Sequence, residues 1–139
     1  MKATITSTAH YVPEKVLTNS ELEKFVETSD EWIQSRVGIK QRHVVSKGEA
    51  SSDMSTEVAK LLLQKRGISP NEIDVIIIGT VTPDHPTPST AAIVQNNIKA
   101  ENAWAFDLSA ACSGFLFSLE TGARFIESGK YKYLSLIHI

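Results

Sequence analysis

The chain has 139 residues, 42% of them hydrophobic and 22% charged, the composition of a globular domain and not of a disordered or fibrous one. Fourteen basic and sixteen acidic residues give a formal net charge of −2 at pH 7, with no block of like charge to grip nucleic acid or an anionic membrane. A single cysteine excludes an internal disulfide and fits a reducing compartment, and the stretch up to Ala9 reads as neither signal peptide nor membrane span.

Ala3–Thr8 alternates and predicts a first strand. Thr18-Asn19-Ser20-Glu21 has capping-box spacing, with Leu22, Phe25 and Val26 as a short apolar face behind it. Thr28-Ser29-Asp30-Glu31 repeats the spacing and predicts a second short helix through Trp32, Ile33 and Arg36, closed by Gly38. Residues 40–48 are polar and read as loop or edge strand. A longer helix follows, with Asp53 as its expected cap, Met54, Val58, Leu61 and Leu62 along it, and Gly67 at its end. Ser69-Pro70-Asn71-Glu72 is another capping box, with proline at the first helical position. Val75-Ile76-Ile77-Ile78 is β-branched without alternation, as in a strand covered on both faces. The stretch from Gly79 to Ser89 carries three prolines and must be loop; Ser89–Asn97 is helical. A strand from Ala103 and a helix through Phe115, Leu119, Ala123 and Ile126 complete the pattern. Strands alternating with helices predict an α/β fold with parallel pairing. Sites in such sheets lie at the carboxyl ends of strands, which places the 80–89 loop and the turn at Cys112 together if their strands are neighbours.

Cys112 stands where the last of these strands turns into a helix, among Ser109, Ala110, Ala111, Ser113 and Gly114. Small neighbours leave room for a substrate, and the partial positive charge of a helix N-terminus stabilises a thiolate. The competing reading is a buried cysteine acting as a small hydrophobe. Trp32 and Arg36, four apart, share a helix face. They read either as a packing tryptophan under a solvated arginine or as a ligand clamp. The four histidines, His10, His43, His85 and His138, have no metal-ligand spacing.

The segments Thr28-Ser29-Asp30-Glu31-Trp32-Ile33, Arg36-Val37-Gly38-Ile39 with Arg42, Gly79-Thr80-Val81-Thr82-Pro83-Asp84, and Phe106-Asp107 through Ala111-Cys112-Ser113-Gly114-Phe115 resemble the β-ketoacyl-acyl-carrier-protein synthase III family. The likeness runs from Ile5 to about Tyr133. It implies an α/β, thiolase-like fold made of two similar halves, of which residues 1–133 would be the first, N-terminal half only. It implies an acyltransferase in which Cys112 accepts an acyl primer from acyl-coenzyme A and passes it to the carbanion of decarboxylating malonyl-acyl carrier protein. The resemblance also implies that Trp32 stacks on the adenine of coenzyme A, that Thr28 and Arg36 contact the same molecule, and that Thr87 borders the partner subunit's acyl pocket across the dimer interface. The family's frequent phenylalanine at the Thr87 position is larger, so longer or bulkier primers are expected to fit here. The family's catalytic histidine and asparagine match nothing in these 139 residues, so the chain on its own is expected to be inactive, and open strand edges and uncovered apolar faces around Val75–Ile78 are expected to make it poorly soluble. No metal and no resident cofactor are implied; coenzyme A enters as a substrate thioester. A cytoplasmic homodimer is expected from the resemblance, with no nucleic acid or membrane partner.

Residues 134–139, Leu-Ser-Leu-Ile-His-Ile, can be back-translated as CTG TCT CTT ATA CAC ATC, which resembles a transposon adapter. They are expected to be a non-native tail; the other reading is a strand after a turn at Gly129. Two further functions compete: a synthase of secondary metabolism on the same scaffold, quinolone- or polyketide-forming, and a non-catalytic acyl-binding partner.

Overall fold

The computed structural model describes residues 2–139. They form two units, one of residues 12–49 and one of residues 2–11 with 50–139.

The larger unit is built on a three-stranded parallel sheet. Its centre is β3 (Val75–Gly79), flanked by β4 (Trp104–Leu108) and β5 (Leu134–His138). Val75 pairs with Trp104 on one side and Leu134 on the other, and Gly79 with Leu108 and His138. Val75, Ile76, Ile77 and Ile78 are all 0% exposed, which is why the run lacks alternation: both faces are covered. Ile76 and Ile78 join Ala59, Ala91, Val94, Ile98 and Ile137 in one cluster, on the side of α3 (Ser51–Arg66) and α4 (Thr90–Ile98). The opposite face carries α5 (Gly114–Glu127). There Gly122 admits the Leu134 side chain so closely that a Cβ would sit 3.1 Å from it, and Phe125 meets the stacked pair Trp104–Phe106 edge-on.

The strand order β4-β3-β5 matters for function. The connection leaving β3 runs through α4 on one face, and the connection leaving β4 runs through α5 on the other. Two neighbouring strands whose connections part to opposite faces leave a crevice at their carboxyl ends, the usual place for a ligand in an open α/β sheet.

Two expectations need correction in this unit, and the packing of α3 adds a finding. Residues 3–8 pair with no strand among the described residues, so their alternation has no sheet to join. The α3 cap is Ala50, which has no side-chain acceptor; Asp53 lies inside the helix, and its carboxylate accepts from the Ala50 N–H at 2.9 Å. The buried side of α3 consists of Ser51, Ser52, Ser55, Thr56 and Ala59, whereas Met54, Val58 and Leu62 are half-buried and Leu61 is exposed. Small residues let a neighbour come close, and Thr56 Oγ1 accepts from Asn97 Nδ2 of α4 at 3.1 Å.

Residues 134–139, expected as a tail, form β5 and the residue after it. Asp74 Oδ2 accepts from the N–H groups of Lys132 and Tyr133 at the entry, and Ile139 N–H donates to Gly79 O at the exit.

The smaller unit contains β1 (Val16–Thr18) antiparallel to β2 (Gln41–His43), with α1 (Asn19–Leu22) and α2 (Asp30–Val37). The Thr18–Glu21 capping box forms as the sequence predicts. The helix behind it is a single turn, and Phe25 and Val26 are 76% and 51% exposed instead of forming its apolar face. α2 is capped by Ser29 and not by Thr28: Ser29 has extended φ and ψ of −143° and 157°, and its Oγ accepts from Trp32 N–H at 3.1 Å. Gly38 ends α2 at φ 71°, a left-handed conformation that a Cβ disfavours. His43 Nδ1 lies 2.6 Å from Pro13 O, a hydrogen-bonded surface role.

Candidate active site

β4 ends at Leu108, and the chain turns sharply before α5. Ala110 has φ −148° and ψ 28°, Ala111 has φ 45°, and a 3-10 turn spans Ala111–Ser113 before Gly114 opens α5. A left-handed alanine costs roughly 1–2 kcal/mol, because Cβ crowds the following carbonyl. Such strain collects where geometry serves a site. Cys112 sits in this turn and is exposed, so the buried-hydrophobe reading does not hold. Leading N–H groups of a helical segment lack intrahelical partners, and an anion or thiolate beside them is stabilised.

Two glycines make the turn fit. A Cβ on Gly79, at the end of β3, would lie 3.3 Å from the backbone carbonyl of Gly114 and 3.2 Å from the His138 ring. The end of β3 and the start of α5 therefore approach backbone to backbone. His138, which the sequence left without a role, reaches this turn from the end of β5: its Nε2 is 3.4 Å from Ala111 O, and its ring centroid is 6.3 Å from that of Phe115. His85 stays exposed in the 80–89 loop.

That loop leaves β3 beside the Cys112 turn, with Thr80 N–H donating to Leu108 O at 3.2 Å. The expected neighbourhood of the two loops is therefore present. Thr87 is exposed within the loop, and no hydrogen bond joins it to Cys112 among the described residues. Two carboxylates hold the loop. Asp84 accepts from Ser52 N–H at 2.9 Å and from Ser52 Oγ, at the start of α3. Asp107 accepts from Thr90 N–H and Ala91 N–H, both at 2.8 Å, at the start of α4. Sequence reading missed both clamps. Each is a tertiary contact, and the one local sign was an aspartate beside a strand end.

The second group of expected site residues lies in the smaller unit. The Arg36 guanidinium carbon is 5.8 Å from the Trp32 ring centroid, a cation–π contact along one face of α2, and Trp32 is 57% exposed. More than half of the indole is open to solvent. Thr28 is half-buried immediately before the Ser29 cap. The helix carrying this pair is anchored by Asn19, which is 1% exposed. Asn19 Nδ2 donates to Asp30 Oδ1 at 2.7 Å and to Ile39 O at 2.8 Å, and its Oδ1 accepts from Arg42 Nη1 at 2.9 Å. Hydrogen bonds from Asn19 and then Gln34 hold the Asp30 carboxyl below its ordinary value, so the carboxylate is retained at the N-terminus of α2.

Ser29→Ala is expected to weaken α2 by about 1 kcal/mol, the worth of an N-cap. Amide exchange across Asp30–Val37 should speed up by roughly fivefold, with exchange across β3 unchanged.

Known proteins share this arrangement. Residues 2–138 match the family model described as FAE1/Type III polyketide synthase-like protein. The chain is 56% identical over 138 residues to the β-ketoacyl-[acyl-carrier-protein] synthase III of Chlorobaculum tepidum, covering 99% of this chain and 42% of that protein. Among solved structures, 3-oxoacyl-[acyl-carrier-protein] synthase III from Aquifex aeolicus superposes with a TM-score of 0.90 at 48% identity, covering 94% of this chain and 42% of that one. The priming β-ketosynthase of the R1128 polyketide pathway superposes with a TM-score of 0.87 at 31% identity, covering 92% and 38%. The chain thus spans about two fifths of the length of the curated relatives it matches.

Proposed function

Because this chain belongs to the FAE1/type III polyketide synthase-like family and is 56% identical to part of a β-ketoacyl-acyl-carrier-protein synthase III, we propose that it carries the primer-loading nucleophile of such a synthase. The observation that carries the reading is Cys112: an exposed thiol in a strained turn, at the head of a helix, where two parallel strands send their connections to opposite faces.

The chemistry follows from the thiol. Cys112 thiolate adds to the carbonyl of an acyl-coenzyme A, the tetrahedral intermediate collapses, and coenzyme A leaves as its thiolate. A thiolate is both a good nucleophile and a good leaving group, so the acyl-enzyme forms and gives up its acyl group readily. Malonyl-acyl carrier protein then loses carbon dioxide, and the resulting carbanion attacks the Cys112 thioester. The new carbon–carbon bond gives 3-oxoacyl-acyl carrier protein and frees Cys112. Donors for the enolate must be in place before charge develops. In the family they are a histidine and an asparagine, which this chain does not supply.

Trp32 and Arg36 are the proposed coenzyme A contacts, with Thr28 beside them. An indole face open to solvent suits a purine, and a guanidinium suits a phosphate. Thr87 is the proposed border of the partner subunit's acyl pocket, reached across the dimer interface. No metal or resident cofactor enters the scheme. No helix of the described residues is long and apolar enough to cross a membrane. A cytoplasmic setting and a homodimer belong to this proposal. Identities of 56% and 48% to the Chlorobaculum tepidum and Aquifex aeolicus synthases, against 31% to the polyketide enzyme, support fatty acid initiation over secondary metabolism.

The test is a chimera in which this chain replaces the matching part of the Chlorobaculum tepidum synthase. With malonyl-acyl carrier protein it is expected to turn over both acetyl- and octanoyl-coenzyme A. Strict preference for acetyl would overturn the role given to Thr87. A folded chimera with no turnover on any acyl-coenzyme A would overturn the function.

A further inference from the structure

We propose that Asn19 is a positioning residue for the face of α2 that meets coenzyme A, setting how Trp32 and Arg36 are presented to the adenine nucleotide of the primer. The inference rests on the reading of Trp32 and Arg36 as coenzyme A contacts and deepens it.

α2 has little apolar packing to fix its orientation. Of its eight residues only Ile33 is buried. One buried side chain leaves a short helix free to roll about its axis. Trp32 and Arg36 lie on one face, with the guanidinium carbon 5.8 Å from the indole centroid, so a roll displaces both together. Stacking and phosphate contact both depend on where that face points.

Polar ties supply what apolar packing lacks. Asn19 is 1% exposed and belongs to α1, outside the helix it holds. Its Nδ2 donates to Asp30 Oδ1, at the first residue of α2, and to Ile39 O, one residue beyond the Gly38 cap. One amide therefore holds the chain on both sides of α2. Both of its N–H donors are used in doing so. Its Oδ1 accepts from Arg42 Nη1 at 2.9 Å, which fixes the way the amide faces and ties it to β2. A buried amide is costly unless it is bonded, and bulk alone would be supplied better by an apolar side chain. Asp30 has two further partners: its Oδ2 accepts from Gln34 Nε2, and its N–H donates to Glu23 Oε1, both at 2.7 Å. Those bonds secure the start of α2. Of this set, the Asn19 bonds alone reach both ends, and that separates positioning from simple helix stabilisation.

The test uses the full-length chimera with malonyl-acyl carrier protein. It compares acetyl-coenzyme A with acetyl-pantetheine, the same thioester without the adenine nucleotide. Asn19→Ala is expected to raise KM for acetyl-coenzyme A about tenfold with kcat unchanged, and to leave KM for acetyl-pantetheine where it was. A generally damaged fold would lose both substrates alike. Equal losses on the two, or no rise with acetyl-coenzyme A, would overturn the proposal. Should Asn19→Ala not fold, Asp30→Ala decides. It removes one of the three Asn19 bonds at a half-buried position, so a selective rise of about threefold is expected, and an unchanged KM would overturn the proposal. Trp32→Ala, assayed alongside, separates the proposal from the reading beneath it. A rise in Trp32→Ala without one in Asn19→Ala sinks the positioning role alone. No rise in Trp32→Ala sinks the coenzyme A contact itself, and the proposal with it.

Discussion

Cys112→Ala in the chimeric synthase is expected to abolish the acyl-enzyme outright. Intact-mass analysis after incubation with acetyl-coenzyme A should find the acyl adduct on the parent chimera and none on the variant. Condensation should fall on the order of 10³-fold or more, the usual consequence of removing a nucleophile whose partners remain. The physical reason is that the neighbouring hydroxyls of Ser109 and Ser113 are hardly ionised at neutral pH and are weak nucleophiles without an adjacent base. His138 sits at the same turn with its Nε2 3.4 Å from Ala111 O. Cys112→Ser is the sharper variant, since it keeps the shape and the hydrogen-bonding capacity of the turn. A serine hydroxyl is hardly ionised at neutral pH, and without an adjacent base it is a weak nucleophile. Its acylation rate should therefore stand near that of the alanine variant. Cys112 is exposed in its turn, so neither change should alter the melting transition by more than a small surface effect. An acyl adduct that persists in Cys112→Ala would place the nucleophile elsewhere.

Ile76→Ala should have the largest effect on stability. Ile76 is 0% exposed in the central strand and packs in the cluster with Ala59, Ala91, Val94 and Ile98. Truncation removes buried methyl and methylene groups and leaves a cavity, because neighbours fixed in strands and helices collapse only in part. The cost of such a change is about 2–5 kcal/mol. Domains in this size range lose roughly 2–8 °C of melting temperature for each kcal/mol, so a fall on the order of 10 °C or more is expected. Phe25→Ala serves as the reference. Phe25 is larger but 76% exposed, and its loss should shift stability by no more than about 0.5 kcal/mol. Urea unfolding of the two variants side by side checks the contrast. Equal losses would mean that β3 is not the core of the folded chain.

Phe115, Leu116 and Phe117 are 42%, 64% and 58% exposed in succession at the start of α5. An apolar run of this kind on a helix surface favours association.

Local signals in the sequence were read reliably where the physics is local. The Thr18–Glu21 and Ser69–Glu72 boxes form, and Gly38 and Gly67 end their helices in left-handed conformations. Val75–Ile78 is a strand buried on both faces. Each of these depends on interactions within a few residues or on one strong composition signal. Errors fell where a partner elsewhere decides. Residues 3–8 alternate like a strand but have no neighbour to pair with among the described residues. Asp53 was expected to cap α3, yet it lies inside the helix, and the buried residues of that helix are its serines, Thr56 and Ala59. There Thr56 accepts a hydrogen bond from Asn97, and Ser52 donates to Asp84.

The sequence alone was sufficient to single out Cys112, the Trp32–Arg36 pair, the α/β order and the family likeness. A strand-to-helix junction, an i,i+4 pair and a string of motifs are all written along the chain. What only the tertiary structure decided is how those pieces become a site. The left-handed Ala111, the backbone contact of Gly79 with Gly114, and the clamp from Asp107 to Thr90 and Ala91 join segments many residues apart. Hydrogen bonds and close packing act through space. Which donor meets which carboxylate is therefore settled only when the sheet has set its strand order.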